Sequence, residues 1–104
     1  MKKNTPQETK DIVQNLFHDQ YPGAEVKFGY VSVPPGERLP SEGTTFHEEQ
    51  EYSFIINGTL KGESGGVPYE ITAGEASFIP AGEPHWSVNE GDEPVEIIFA
   101  LVKA

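Results

Sequence analysis

A chain without cysteine has no thiolate to offer as nucleophile or ligand, which leaves imidazoles and carboxylates as its main chemical groups. Three histidines are present, at positions 18, 47 and 85. His47 heads the acidic run Glu48-Glu49-Gln50-Glu51, just before the apolar stretch Phe54-Ile55-Ile56. Positions 47 and 51 differ by an even number, so on an extended strand both side chains point to one face. Glu49 shares that parity. It is the weak candidate for a general base, and a bulge near it could exchange which glutamate points inward. His85 follows Pro80, Gly82 and Pro84, where the chain is stiffened. His18, between Phe17 and Asp19, reads as an exposed helical residue. Two imidazoles and one carboxylate converging on a point suit a divalent transition metal: iron, manganese, nickel, cobalt or zinc. The same three side chains turned inward could instead form a hydrogen-bonded network with no metal.

The elements that must position these residues are short. At 104 residues and 11.4 kDa the chain has room for one domain. Eleven glycines and nine prolines suit many short strands joined by tight turns. One helix is expected first, because Thr5, Pro6 and Glu8 have the form of a capping box and Ile12, Val13, Leu16 and Phe17 recur at helical spacing. Tyr21-Pro22-Gly23 stops it. Residues 1–24 are therefore read as a helical extension and 25–104 as a β-domain. Strands are expected at 26–33, 44–47, 51–56, 59–63, 69–72, 76–79, 85–88 and 95–102, with Asn57-Gly58 as the strongest hairpin signal. This pattern predicts an all-β fold, a sandwich or barrel, and together with the motifs described below the expectation is an antiparallel β-barrel with the helix outside it. Thr45, Phe28, Tyr30, Phe46 and Trp86 are candidates for the pocket wall. Two stretches, Phe54 to Ile56 and Ile97 to Val102, place apolar side chains on both strand faces, and a barrel interior covers only one. The other face calls for either the N-terminal helix or a second subunit, and since the helix offers only a narrow apolar stripe a homodimer is expected.

The spacing of the anchoring residues resembles the cupin family. Gly74, five residues, Pro80, one residue, Gly82, two residues, His85, three residues and Asn89 match the family's second motif. His47, three residues, Glu51, six residues and Gly58 match the second half of its first motif, and fifteen residues separate Gly58 from Gly74. The resemblance implies a double-stranded β-helix, or jelly roll, with His47, Glu51 and His85 as metal ligands. Thr45 departs from the pattern, because the fuller motif has a further histidine there. Two histidines and one carboxylate resemble the facial triad of iron(II) oxygenases. The implied function is a metal-dependent enzyme, dioxygenase-like or isomerase-like, acting on a small polar molecule. A non-catalytic alternative exists: His47 to Tyr52 and Asn89 to Pro94 also resemble the sensor cupins of helix-turn-helix regulators, which bind small effectors. Gly58, Gly74 and Gly82 read as turn residues, and Asn89 as a turn or hydrogen-bonding residue.

Charge narrows the partners. Seven lysines and arginines stand against seventeen aspartates and glutamates, a net charge of −10. Neither nucleic acid nor an anionic membrane surface suits such a chain. The first ten residues lack the apolar stretch of a signal peptide, so a cytoplasmic location is expected.

Overall fold

The computed structural model describes residues 1–9 and 11–104 and contains nine strands among them. They are β1 (Val13–Tyr21), β2 (Ala24–Val33), β3 (Arg38–Leu39), β4 (Gln50–Asn57), β5 (Thr59–Ser64), β6 (Val67–Thr72), β7 (Ala76–Ile79), β8 (His85–Val88) and β9 (Val95–Lys103). Five form one sheet in the order β1-β2-β9-β4-β7, and four form a second in the order β3-β8-β5-β6. No helix occurs among the described residues, and none is long and apolar enough to cross a membrane.

The expected N-terminal helix is a strand instead. Residues 13–21 pair antiparallel with β2 from Val13↔Val31 to Tyr21↔Ala24, and Pro22-Gly23 is the two-residue turn between them. A register shift between Asn15 and Phe17 marks a bulge. The bulge explains the misleading periodicity, since adjacent Leu16 and Phe17 break the alternation of a regular strand and mimic helical spacing. A helix of this length is marginal in water. The strand gains a full ladder and sets Phe17 against Phe28, ring centroids 6.4 Å apart.

The expected closed barrel also gives way. The two sheets face one another, but no ladder joins their edge strands among the described residues. Asn57-Gly58 is accordingly a corner and not a hairpin, because β4 pairs with β7 and β9 whereas β5 pairs with β6 and β8. Gly58 turns that corner at φ +84°, where a β-carbon would sit 3.0 Å from Val95 Cγ2. The hairpin proper is β5-β6, around Gly65-Gly66. Of the expected strand 44–47 only Thr45 pairs, in an isolated bridge to His85, and the short strand β3 went unforeseen. The other seven expected strands coincide with β2 and β4 to β9 to within three residues at either end.

Alternation then separates an inside from an outside. Val33, Ile55, Val95 and Ile97 of the first sheet pack against Leu60 and Ile71 of the second, closing one end of the sandwich with an apolar plug. Phe99 lies over Gly29, where a β-carbon would come within 2.6 Å of its ring. Behind the plug Asn89 is 1% exposed, and its amide nitrogen donates to Val33 O at 2.9 Å and Glu93 O at 2.7 Å. Its oxygen accepts Gly91 N at 2.9 Å, so the buried amide closes the 89–93 turn and ties it to β2.

Asn89→Ala strands two carbonyls and an amide without partners. It is expected to cost about 1–3 kcal/mol, and differential scanning calorimetry should show the midpoint falling by roughly 4–8 °C per kcal/mol.

Candidate metal centre

Beyond the plug, at the other end of the sandwich, three chain segments meet. β8 begins at His85, which sits within the domain at 9% exposure. Thr45 pairs with it directly: Thr45 N donates to His85 O at 2.9 Å and His85 N to Thr45 O at 2.8 Å. Two residues on, the His47 carbonyl accepts Gly82 N at 2.7 Å, and Gln50 Oε1 accepts Ala81 N at 2.9 Å. These bonds hold the 45–50 segment to the turn before β8. The donor atoms of His47, Glu51 and His85 all lie within 4.8 Å of one another, so the three form a group that could hold a metal ion. His47 Nε2 is 3.5 Å from Glu51 Oε1, and the two imidazole rings are 5.1 Å apart at 54°.

His47 precedes β4, so the turn at Glu48-Glu49 brings it to Glu51, rather than even spacing along a strand. His85 Nδ1 lies 3.0 Å from the Glu83 carbonyl. A carbonyl only accepts, so Nδ1 carries the proton and Nε2 keeps its lone pair for a ligand. The chemistry of the set, two neutral nitrogens and one anionic oxygen, fits a divalent transition metal.

The fold and its motifs are shared with known proteins. The family model for the cupin domain matches residues 29–101. The chain belongs to the cupin domain family. A curated relative, the tetracenomycin polyketide synthase protein TcmJ of Streptomyces glaucescens, is 26% identical over 73 residues, covering 70% of this chain and 48% of that protein. The chain thus spans about half the length of that relative. Among solved structures, a cupin family protein with a double-stranded β-helix fold from Methanocaldococcus jannaschii superposes with a TM-score of 0.75 at 19% identity, covering 100% of this chain and 89% of that one. Salicylate 1,2-dioxygenase from Pseudoaminobacter salicylatoxidans superposes with a TM-score of 0.65 at 21% identity, covering 73% of this chain and 22% of that one.

In this cupin the donors open onto a cavity of about 660 Å³ between the sheets. Thr45 lines it beside His85. Phe28, Tyr30, Phe46 and Trp86 do not. Phe28 and Tyr30 pair with Ala100 and Ile98 across the outer face of the larger sheet, and Tyr30 hydrogen-bonds Glu96 there. Trp86 alternates with His85 and so faces outward, its Nε1 donating to Glu63 at 2.9 Å and Arg38 stacking 4.4 Å from its ring. Phe46 is 66% exposed. The acidic run divides three ways: Glu48 pairs with Lys103 at 2.8 Å, Glu49 with Lys27 at 3.2 Å, and Glu51 faces the cavity. His18 is exposed on β1, 3.0 Å from Glu25, and with Gln20 it holds the Glu25 carboxyl below its usual range.

Four cavity residues that the sequence reading passed over are Glu83, Ser64, Tyr69 and Ser87. Ser64 Oγ donates to Glu83 Oε2 at 2.6 Å. Parity carried the signal for two of them, because Tyr69 alternates with the buried Ile71 and Ser87 with His85. Burial pushes the Tyr69 phenol up to about 12, against an opposing bond to Ser87, and the Glu51 carboxylate adds to the rise.

Tyr69 therefore stays protonated well past the ordinary phenol value of about 10. Its contribution to stability is present below about pH 10 and is lost as pH rises through about 12. Ultraviolet titration should place one phenol in the late part of the curve, and Tyr69→Phe should remove it.

Proposed function

We propose that this cupin is a metal-dependent enzyme that transforms a small molecule held between its sheets, by dioxygenase-type or isomerase-type chemistry. The observation that carries the reading is the convergence of His47, Glu51 and His85 at the edge of a cavity large enough for a ligand. A divalent transition metal held by these three residues would supply Lewis acidity and, where redox-active, one-electron chemistry with dioxygen. Thr45 stands where the fuller motif has a fourth donor, so the protein supplies three and leaves room for a chelating substrate.

The remaining cavity residues fit that work. Tyr69, protonated at neutral pH, can offer a substrate oxygen its hydrogen bond in place of the long one it donates to the Trp86 carbonyl, at 3.4 Å. Glu83 lines the same cavity and is better placed than Glu49, which is engaged by Lys27, to accept a proton. The aliphatic plug behind them excludes water from the far end of the cavity. Two similar proteins, a dioxygenase and a polyketide synthase protein, are compatible with an enzymatic role.

The functional unit is proposed to be a homodimer. Tyr52, Phe54, Ile56 and Phe78 are 48–51% exposed on the outer face of β4 and β7, beside Ile98 and Ala100 of β9. Together they make one apolar surface on three adjacent strands. A copy related by a two-fold axis presents the same surface and covers it. Leaving each such side chain in water forgoes about 1.5–3 kcal/mol at full burial, which outweighs repulsion between two charges of −10 once salt screens it.

Elemental analysis of untagged protein should find about one equivalent of metal, and His47→Ala, Glu51→Ala or His85→Ala should each drop it well below that and shrink the thermal stabilisation that metal confers. Full metal content in all three variants would sink the assignment. Thr45→His should tighten metal while lowering turnover. For the dimer, light scattering should give twice 11.4 kDa, and Phe54→Glu should return the mass to that of one chain.

A further inference from the structure

The lining of the cavity says what kind of molecule it accepts, and the answer differs from the small polar substrate that the motifs suggested. Most of the wall is aliphatic or aromatic: Val31, Val33, Leu39, Leu60, Ile97 and Phe99 are examples. The charged side chains turned toward it, apart from the two histidines, are Glu51 and Glu83, both of one sign. Glu70 alternates with Tyr69 and Ile71 and is exposed, and the exposed Glu75 accepts Thr72 N at 2.8 Å. None of the described lining residues is a lysine or arginine. Four of the described cations are committed elsewhere on the surface, Lys27 to Glu49, Lys61 to Glu90, Lys103 to Glu48 and Lys2 to Asp19. Arg38 stacks on the outward face of Trp86 and donates to the Pro40 carbonyl. The other polar groups on the wall are neutral: the hydroxyls of Thr45, Ser53, Ser64, Ser77, Ser87 and Tyr69.

A free carboxylate or phosphate entering this cavity would lose its hydration and meet no cation of the protein's own. A divalent ion on the three donors does not make the wall net positive, since 2 − 2 for Glu51 and Glu83 leaves it neutral. An uncharged, largely apolar molecule meets no such penalty and gains contact with the plug.

We propose that the natural ligand is an uncharged, predominantly apolar molecule of one or two rings or comparable bulk. It carries neutral oxygen donors, such as a phenol or ketone, directed at His47, Glu51 and His85, and small anions such as dicarboxylates are rejected. This rests on the reading of the three residues as a metal centre, and it names the substrate class for that centre. Selectivity arises from the Glu83 carboxylate, beside Glu51, acting as a repulsive element, and from the neutral hydroxyls on the wall.

Two probes of the same ring shape separate the terms. At about pH 7, 2-naphthol is neutral, as phenols ionise near pH 10, and 2-naphthoate is an anion. Calorimetric titration of the chelator-treated protein should show 2-naphthol binding at least about tenfold more tightly than 2-naphthoate. In the Glu83→Gln variant, naphthoate should gain several-fold relative to naphthol. Carbon-13 spectra of isoleucine methyls should place naphthol in the cavity, with shifts at Ile71, Ile79 and Ile97 and none at Ile56 or Ile98 on the outer face. Naphthoate binding as tightly as naphthol, no naphthol binding, or shifts confined to the outer face each overturn the proposal. A parallel titration with Zn²⁺ tests the metal reading by itself. Naphthol selectivity without zinc binding would leave the cavity assignment standing and remove the metal centre, and zinc binding with a preference for naphthoate would do the reverse.

Discussion

Two backbone hydrogen bonds between Thr45 and His85 determine whether this cupin has a site at all. They tie an otherwise irregular segment to the first residue of β8, with His47 two residues beyond. A single bridge would leave that segment free to swing. The bonds from Gly82 N to His47 O and from Ala81 N to Gln50 Oε1 add further points of attachment, and β4 then carries Glu51 inward. The donor set is held by main-chain geometry on both sides of the cleft, so its side chains need little reorganisation to meet a ligand.

Polarity is divided along the sandwich as well as across it. At the closed end an apolar plug and the buried Asn89 amide supply the cohesion that a small domain must find. At the other end the imidazoles, the carboxylates and Tyr69 face a cavity that stability alone would have filled. A domain of 104 residues that keeps about 660 Å³ of space between its sheets forgoes packing there. That sacrifice is consistent with selection for a bound molecule rather than for the tightest core.

The acidic run from Glu48 to Glu51 shows how one sequence feature takes three physical roles. Lys103 at the end of β9 and Lys27 on β2 draw Glu48 and Glu49 to the rim of the larger sheet, while Glu51 faces the cavity. Those lysines are distant in sequence and adjacent only because β2 and β9 pair. Strand pairing therefore sorts the carboxylates, and with them the sign of the field that a ligand meets in the cavity.

The sequence by itself determined much of this protein. The motif spacing, the glycine and proline punctuation and the period-two alternation are local signals, and they located seven strands, the family and the three residues that converge. Local signals fail where an alternative conformation scores equally well and a distant partner decides. Val13 to Tyr21 satisfy a helical pattern, yet the β2 edge makes them a strand, and the bulge beside Leu16 is visible only once the register is known. Asn57-Gly58 has the form of a hairpin, but the partners of β4 and β5 lie in different sheets. Phe28, Tyr30 and Trp86 have the chemistry of a pocket wall, and their parity relative to Gly29 and His85 puts them outside. Tyr69 and Glu83 reach the cavity, and every lysine and arginine described on the structure stays off it, through contacts between residues far apart in the chain. Those contacts, absent from any local window of sequence, set the character of the site.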